Sequence, residues 1–453
     1  MANVLESQSA GVLELQQARL CVLDENGIKS FVPIEDQIAF FVMTQDLFEP
    51  SIRINFQIVD ALGHLTRFNK AGYQGQEFVQ LRCKKPGEDG QQIDLQFWIH
   101  DISEIGGNFK NDGSSYNLTG ITKEKLISTY SDVNQAFNST YSEAANSIFT
   151  NYITKDTRKK KLFKKYEAFS FEDRKLNVHD SVVENQFIIP GHQPFKAIEM
   201  CARRAMGRKG SNTKSTSLYT FYETIDGYNF HCIDDLIREG KSKHPDPDLT
   251  FEYEPQRERK EGTAEPSGKR FDRKIRDIIS LKTSDNLFNG NAGTLKNQVL
   301  IVDAIGKTYK KRVFDYNAEF KDLPHLGDTQ LVDKDYVNAF VRPSYEHMYI
   351  QDSTKSNQFF DQVLSVRTAY TLQLHNLQMT FVIEGDTSIK PGMVLDIKLP
   401  ELSAITENIT ERYSTKFSGF WLVSTVVHEY TRDAFHTTIS CLKDSIKEAI
   451  GQK

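Results

Sequence analysis

The sequence predicts an α+β fold, predominantly β, with two β regions flanking a mixed middle and one long central helix. Three observations carry this expectation. Apolar and polar residues alternate near both ends of the chain, the period of strands with one buried face. In the middle the apolar spacing switches to steps of three and four, the period of a helix. The aromatic residues, 30 Phe and 18 Tyr against 2 Trp, are types that strands favour.

Residues 1–30 are polar with scattered Leu and Val and read as an N-terminal arm. The first β region covers 31–116. Ile52, Ile54, Phe56 and Ile58 alternate with Arg53, Asn55 and Gln57. Val79, Leu81 and Cys83 alternate with Gln80 and Arg82, and Ile93, Leu95, Phe97 and Ile99 with Asp94, Gln96 and Trp98. Turn signals separate these runs at Asp60–Gly63, Ala71-Gly72 and Pro86–Gly90. Short strands at such spacing form an antiparallel barrel or sandwich.

Residues 117–216 read as a helical, mixed module. Leu126, Tyr130, Val133, Phe137, Tyr141, Ala144, Ile148 and Tyr152 predict one helix of about eight turns. Thr122 is placed to cap it, with Glu124 in the first turn. Residues 187–206 read as a strand, a Pro-Gly turn and a helix. Asp226-Gly227 lies between two apolar runs and predicts a hairpin, and 217–240 is a candidate to complete the first β region. Residues 241–270 are charged and read as a linker or loop. Residues 271–315 are strand-like, and 316–370 read as an irregular insertion with an edge-like segment near Val341. The second β region joins 271–315 with 371–453. Its strands are expected at Leu372–Leu374, Leu377–Ile383, Met393–Leu399, Phe420–Val427 and Thr437–Leu442, with a tight turn at Pro391-Gly392.

Composition narrows the function. A length of 453 residues suggests two to four domains. A net charge of −5 argues against a generally basic nucleic-acid binder. No run of ~18 apolar residues predicts a membrane helix, and the first twenty residues lack the pattern of a secretory signal. Cys21, Cys83, Cys201, Cys232 and Cys441 are scattered, without a CxxC, and read as reduced thiols. The sequons at Asn117, Asn138 and Asn408 then read as chance matches.

No catalytic, metal or cofactor residues are assigned. Phosphate-loop, Gly-x-Ser-x-Gly and His-Glu-x-x-His motifs are absent. The stretch Asn289-Gly290-Asn291 with Gly293 reads as a loop. His231-Cys232 with Asp234-Asp235 does not converge as a metal site, because adjacent strand residues point to opposite faces. His100-Asp101 and His179-Asp180 lack a third group, and Glu254 and Glu258 sit in the charged linker. One charge run stands out. Between 155 and 165, Lys155, Arg158, Lys159, Lys160, Lys161, Lys164 and Lys165 face a single acid, Asp156. It reads either as a solvated surface or as a docking patch for an acidic partner or phosphate, carried by Lys159, Lys160, Lys161, Lys164 and Lys165.

Several segments resemble a known family. They are Glu35-Asp36 ahead of Ser51–Phe56, Gly75–Phe78, Tyr116–Thr122, Phe187–Pro190 with Pro194–Ile198, and Thr220–Phe230. Near the C-terminus Ile389–Leu395, Ser418–Val423 and Val427–Tyr430 continue the series. In order and spacing they are similar to the baseplate central hub of T-even-like contractile-tail phages, related to the late-control tail protein of temperate phages and to the hub part of type VI secretion spikes. The resemblance spans 31–445, and 241–270 and parts of 316–370 read as additions to it.

The resemblance implies two tail-tube-like β-barrels per chain and a homotrimer. Three chains would place six barrels around an axis and join a hexameric tail tube to a trimeric central spike. Tail tube protein, spike protein and tape-measure protein would be partners, with baseplate wedge proteins as further contacts. DNA would pass without specific binding, and the location would be the tail baseplate of a virion assembled in the host cytoplasm. The alternatives are the hub of a contractile injection or secretion system, or a tail-associated cell-wall hydrolase. The latter needs a cleft with convergent carboxylates or a metal, which the sequence does not supply.

Overall fold

The alternating runs of the first region all form strands. The computed structural model describes residues 12–24, 27–60, 77–85, 92–105, 114–155, 174–207, 214–253, 273–283, 293–303, 307–331, 339–345, 360–401 and 413–447. Strands β1 (Glu14–Asp24), β2 (Gly27–Pro33), β3 (Ile38–Asp46), β4 (Arg53–Asp60), β5 (Phe78–Lys84), β6 (Gln92–Ile105) and β7 (Ser114–Thr122) pair in the order β2-β1-β5-β6-β7-β4-β3, all antiparallel. Ile54, Phe56, Leu95 and Phe97 point into one core. The sheet curls around them tightly. A Cβ on Gly120 would come within 3.0 Å of the Phe97 Cβ. The turn after β2 folds back on β1, where the Ile34 amide donates to the Ala18 carbonyl at 2.9 Å.

Residues 1–30 are therefore not simply an arm, because β1 lies inside the sheet with Ala18, Leu20 and Cys21 buried. A register shift between Leu15 and Gln17 breaks its alternation, which hides the strand from a period-two reading.

The second region closes completely. Strands β13 (Thr250–Tyr253), β14 (Lys274–Thr283), β19 (Leu377–Glu384), β20 (Val394–Lys398), β21 (Gly419–Thr431) and β22 (Phe435–Lys443) pair in the order β21-β20-β13-β14-β19-β22, and β22 returns to β21. This is a six-stranded barrel around Phe381, Leu395, Ile397, Trp421 and Val423. It is antiparallel except at β13, which runs parallel to both β14 and β20. That strand falls inside the stretch expected as a linker. It buries a single residue, Phe251, among charged neighbours, so no alternation marks it. The turn Pro391-Gly392 appears as expected, with Gly392 at φ +88.

The middle departs most from expectation. The stretch read as one long helix is helix α1 (Lys123–Thr129), strand β8 (Val133–Thr140) and helix α2 (Tyr141–Ile148), whose end widens into a π turn at Phe149–Thr154. Val133 and Phe137 are four apart, and that spacing puts both on one face of a strand as well as of a helix. Ser131, Asp132, Asn138, Ser139 and Thr140 compete with the helical backbone and break it. Thr140 and Glu143 instead form a capping box that starts α2.

Strand β10 (Glu184–His192) pairs with β8, and helix α3 (Pro194–Arg204) follows. The Asp-Gly hairpin forms between β11 (Tyr219–Thr224) and β12 (Gly227–Cys232). Strand β9 (Leu176–Val178) adds parallel to β12, and helix α4 (Ile233–Ser242) comes next. These elements share a core with Cys21, Phe78 and Trp98 of the first sheet.

A further sheet of β16 (Thr308–Asp315), β15 (Lys296–Asp303) and β18 (Ala339–Tyr345) packs against helix α5 (Phe360–Leu374). Of 271–315, then, only β14 enters the barrel. Val341 does lie on a strand, but Leu372–Leu374 is the end of α5 and not a strand. The β15–β18 pair is parallel, and a parallel partner is not announced by a turn. The short strands β17 (Thr329–Gln330) and β23 (Ser445–Ile446) pair beside it. No helix among the described residues is long and apolar enough to cross a membrane.

Candidate assembly surfaces

The two β regions meet edge to edge. Phe40–Asp46 of β3 pairs with Thr425–Thr431 of β21, so one sheet runs through both cores. Gln45 and His428 face inward at this seam, and both are fully buried. Gln45 Nε2 lies 3.2 Å from His428 Nε2, and His428 Nδ1 lies 3.1 Å from the Thr437 hydroxyl. Gln45 Oε1 accepts from the Ile225 amide at 3.0 Å, which ties the β11–β12 turn to the seam. Burial pushes the His428 imidazole down to about 4, so it is neutral at pH 7. Phe41 stacks on Tyr430 across the junction at 4.9 Å.

A second polar cluster fastens the middle module to the first sheet. Glu223 Oε2 accepts from the Ile52 amide at 2.8 Å and from the Thr122 hydroxyl at 2.9 Å. Arg174 pairs with the other carboxylate oxygen and donates to the Ile225 carbonyl at 2.9 Å. Burial pushes the Glu223 carboxyl up to about 7, although Arg174 pulls the other way. Thr122 does occupy the position before α1, but its hydroxyl serves Glu223 and makes no side-chain cap.

A third cluster closes the C-terminal end. Asp444 lies 2.5 Å from His325 Nδ1 and accepts from the Leu326 amide at 3.1 Å, while His325 Nε2 sits 2.9 Å from the Phe320 carbonyl. Burial alone would raise the Asp444 carboxyl, yet His325 and the hydrogen bonds hold it below its ordinary range. Arg367 of α5 donates to the Arg203 and Ala205 carbonyls and so caps the end of α3.

The sequence reading missed all three clusters. The seam had a signal: Gln45 is in phase with Phe41 and Met43, and His428 with Val426, so each is a polar residue in an apolar register. The residues named in advance fare differently. Lys159, Lys160, Lys161, Lys164 and Lys165 lie outside the described residues, as do Glu254, Glu258 and Asn289–Asn291. Cys232 is buried. His231 stacks on His179 at 3.9 Å and meets the Tyr222 hydroxyl at 3.1 Å. Asp234 accepts from the Thr216 amide at 2.7 Å. Among the described residues, no group of three His, Cys, Asp or Glu is placed to hold a metal.

No family model matches the chain, and no curated protein matches it. Solved structures do. The 43 kDa tail protein of prophage MuSo2 from Shewanella oneidensis aligns over 95% of this chain and 99% of its own, at 8% identity and TM-score 0.51. The chain has the fold of a phage tail protein. A tail protein from Neisseria meningitidis aligns over 94% of this chain and 97% of its own, at 11% identity and TM-score 0.46. A type VI secretion component of E. coli aligns over 98% and 80%, at 9% identity and TM-score 0.41.

Proposed function

We propose that this chain is a structural hub of a contractile tail baseplate, acting as a trimer that joins a sixfold tube to a threefold spike. One observation carries the reading. Each chain holds two β-rich cores side by side in a single sheet, a curled seven-stranded unit and a closed six-stranded one. Three copies would then present six such units around an axis. The fold shared with a prophage tail protein supports a tail location. Spike, tube and tape-measure proteins are the expected partners, and DNA passes through the ring. The work is assembly and not catalysis, since the buried polar clusters are spent on fixing elements to one another.

Mass measurement by light scattering, followed by imaging of single particles, tests this. A trimer with a central opening is the expected result. A monomer at micromolar concentration that gains no ring when spike or tube protein is added refutes it.

A further inference from the structure

This inference rests on the ring proposed above and assigns one surface within it. The sheet shared by the two cores has faces of opposite character. One face sends Phe41, Met43 and Phe56 into the first core and Val426 and Ile439 into the second. The other is continuous over β4, β3, β21, β22 and β19, because each strand pairs with the next. The register sets Arg53, Thr44, Val427, Thr438 and Val382 in one row across five strands. All five side chains are half-exposed or exposed.

Other outer surfaces of the two cores are covered. Cys21, Phe78 and Trp98 of the first sheet are packed under the middle module. Val394, Leu422 and Leu442 of the second barrel are packed under α4, α5 and the segment around Phe320. The face that stays open is rich in Thr, Ser, Asn and Gln. The centre of a protein interface gathers aromatic and apolar side chains, so this face suits water better than a partner subunit. Its charged residues are Asp46, Glu384 and Glu429 against Arg53, which is already paired with Glu49 at 2.9 Å. A surface with three acids and one neutralised cation offers phosphates no counter-charge to hold them.

We propose that this face lines the channel of the ring, and that nucleic acid is the polyanion that slides past it without adhering. The test uses a single introduced thiol. The five native cysteines are buried, so a new surface cysteine is the reactive one. Thr438→Cys sits in the middle of the face. Tyr130→Cys, at 65% exposure on the middle module, serves as the outside control. Assembled rings of each variant are treated with biotin maleimide and then with streptavidin, which is too bulky to enter a channel.

Both variants should take up biotin equally, with capture by streptavidin lost only for Thr438→Cys until the ring is dissociated. Equal capture of both rings places the face outside and overturns the proposal. Failure of Thr438→Cys to take up biotin in the ring makes the face a subunit interface, which also overturns it. Rings of the unsubstituted chain should leave linear duplex DNA unretarded in a gel at physiological salt, and retardation refutes the non-adhering wall. A chain that never assembles refutes the ring itself, and that outcome is seen before any labelling.

Discussion

Phe97 and Gln96 are neighbours on β6 with opposite fates, and that makes a sharp test of the inward register. Phe97 is fully buried, with the Phe56 ring edge-on at 6.3 Å. Gln96 points outward, half-exposed, opposite Gln80. Replacing Phe97 with Asp removes the ring, which alone costs about 3–5 kcal/mol. It also buries a carboxyl with no partner, which adds about 1–3 kcal/mol even when the group takes up a proton. The sum, about 4–8 kcal/mol, is most of the stability of an ordinary domain, about 5–15 kcal/mol. Gln96→Asp gains only a mild like-charge contact with Asp94 on the same face and should cost under about 1 kcal/mol.

Urea unfolding read by tryptophan fluorescence separates the two. Trp98 packs on Phe78 at 4.6 Å beside the first core, and Trp421 is buried in the second barrel. Backgrounds that keep one tryptophan at a time report each region. Because the sheet is continuous through the seam, Phe97→Asp should lower the midpoint in both backgrounds. A Phe97→Asp variant within about 1 kcal/mol of Gln96→Asp would show that the assigned inward face is wrong.

Three other outcomes are expected. His428 is neutral in the fold with its pKa near 4, while an unfolded His protonates near 6.5. Its contribution is therefore present above pH 6.5 and lost as pH falls toward 4, and His428→Gln should flatten that part of the stability curve by about 3 kcal/mol, with an unchanged slope counting against the assignment. Gly392→Ala puts a side chain at φ +88 with its Cβ 2.8 Å from the Tyr222 hydroxyl, so thermal unfolding should show a loss of about 1–3 kcal/mol, and no loss would disprove the close approach. Burial pushes the thiols of Cys21, Cys83 and Cys201 up to about 12 and those of Cys232 and Cys441 higher still, so a thiol reagent at pH 8 should read none of the five before denaturation and all five after it.

Strand alternation was legible because one buried face writes a period of two, and Ile54, Phe56, Leu95, Phe97, Leu395, Ile397 and Val423 all lie in cores as that period requires. The pattern failed where another geometry writes the same period or none. Val133 and Phe137 fit a strand and a helix equally. Phe251 is a single apolar residue on a strand whose two partners are parallel and distant in sequence. The polar clusters were out of reach for a related reason. Gln45 and His428 are 383 residues apart, and Glu223 meets Ile52 across 171. Polar residues on strands are read as outward, and only their phase betrayed these two at the seam.

The seam also explains why polar groups sit where apolar ones would pack. Apolar side chains tolerate a slip between two strand edges, because one methyl contact replaces another. Gln45 does not, since its carbonyl serves the Ile225 amide while its amide nitrogen meets His428. A slip of one residue would turn both side chains to the outer face and leave the Ile225 amide without its acceptor. The register of β3 on β21 is thereby fixed, and with it the angle between the two cores. For a ring of three chains that angle is the quantity that decides closure, because any error in it is repeated at every copy around the axis.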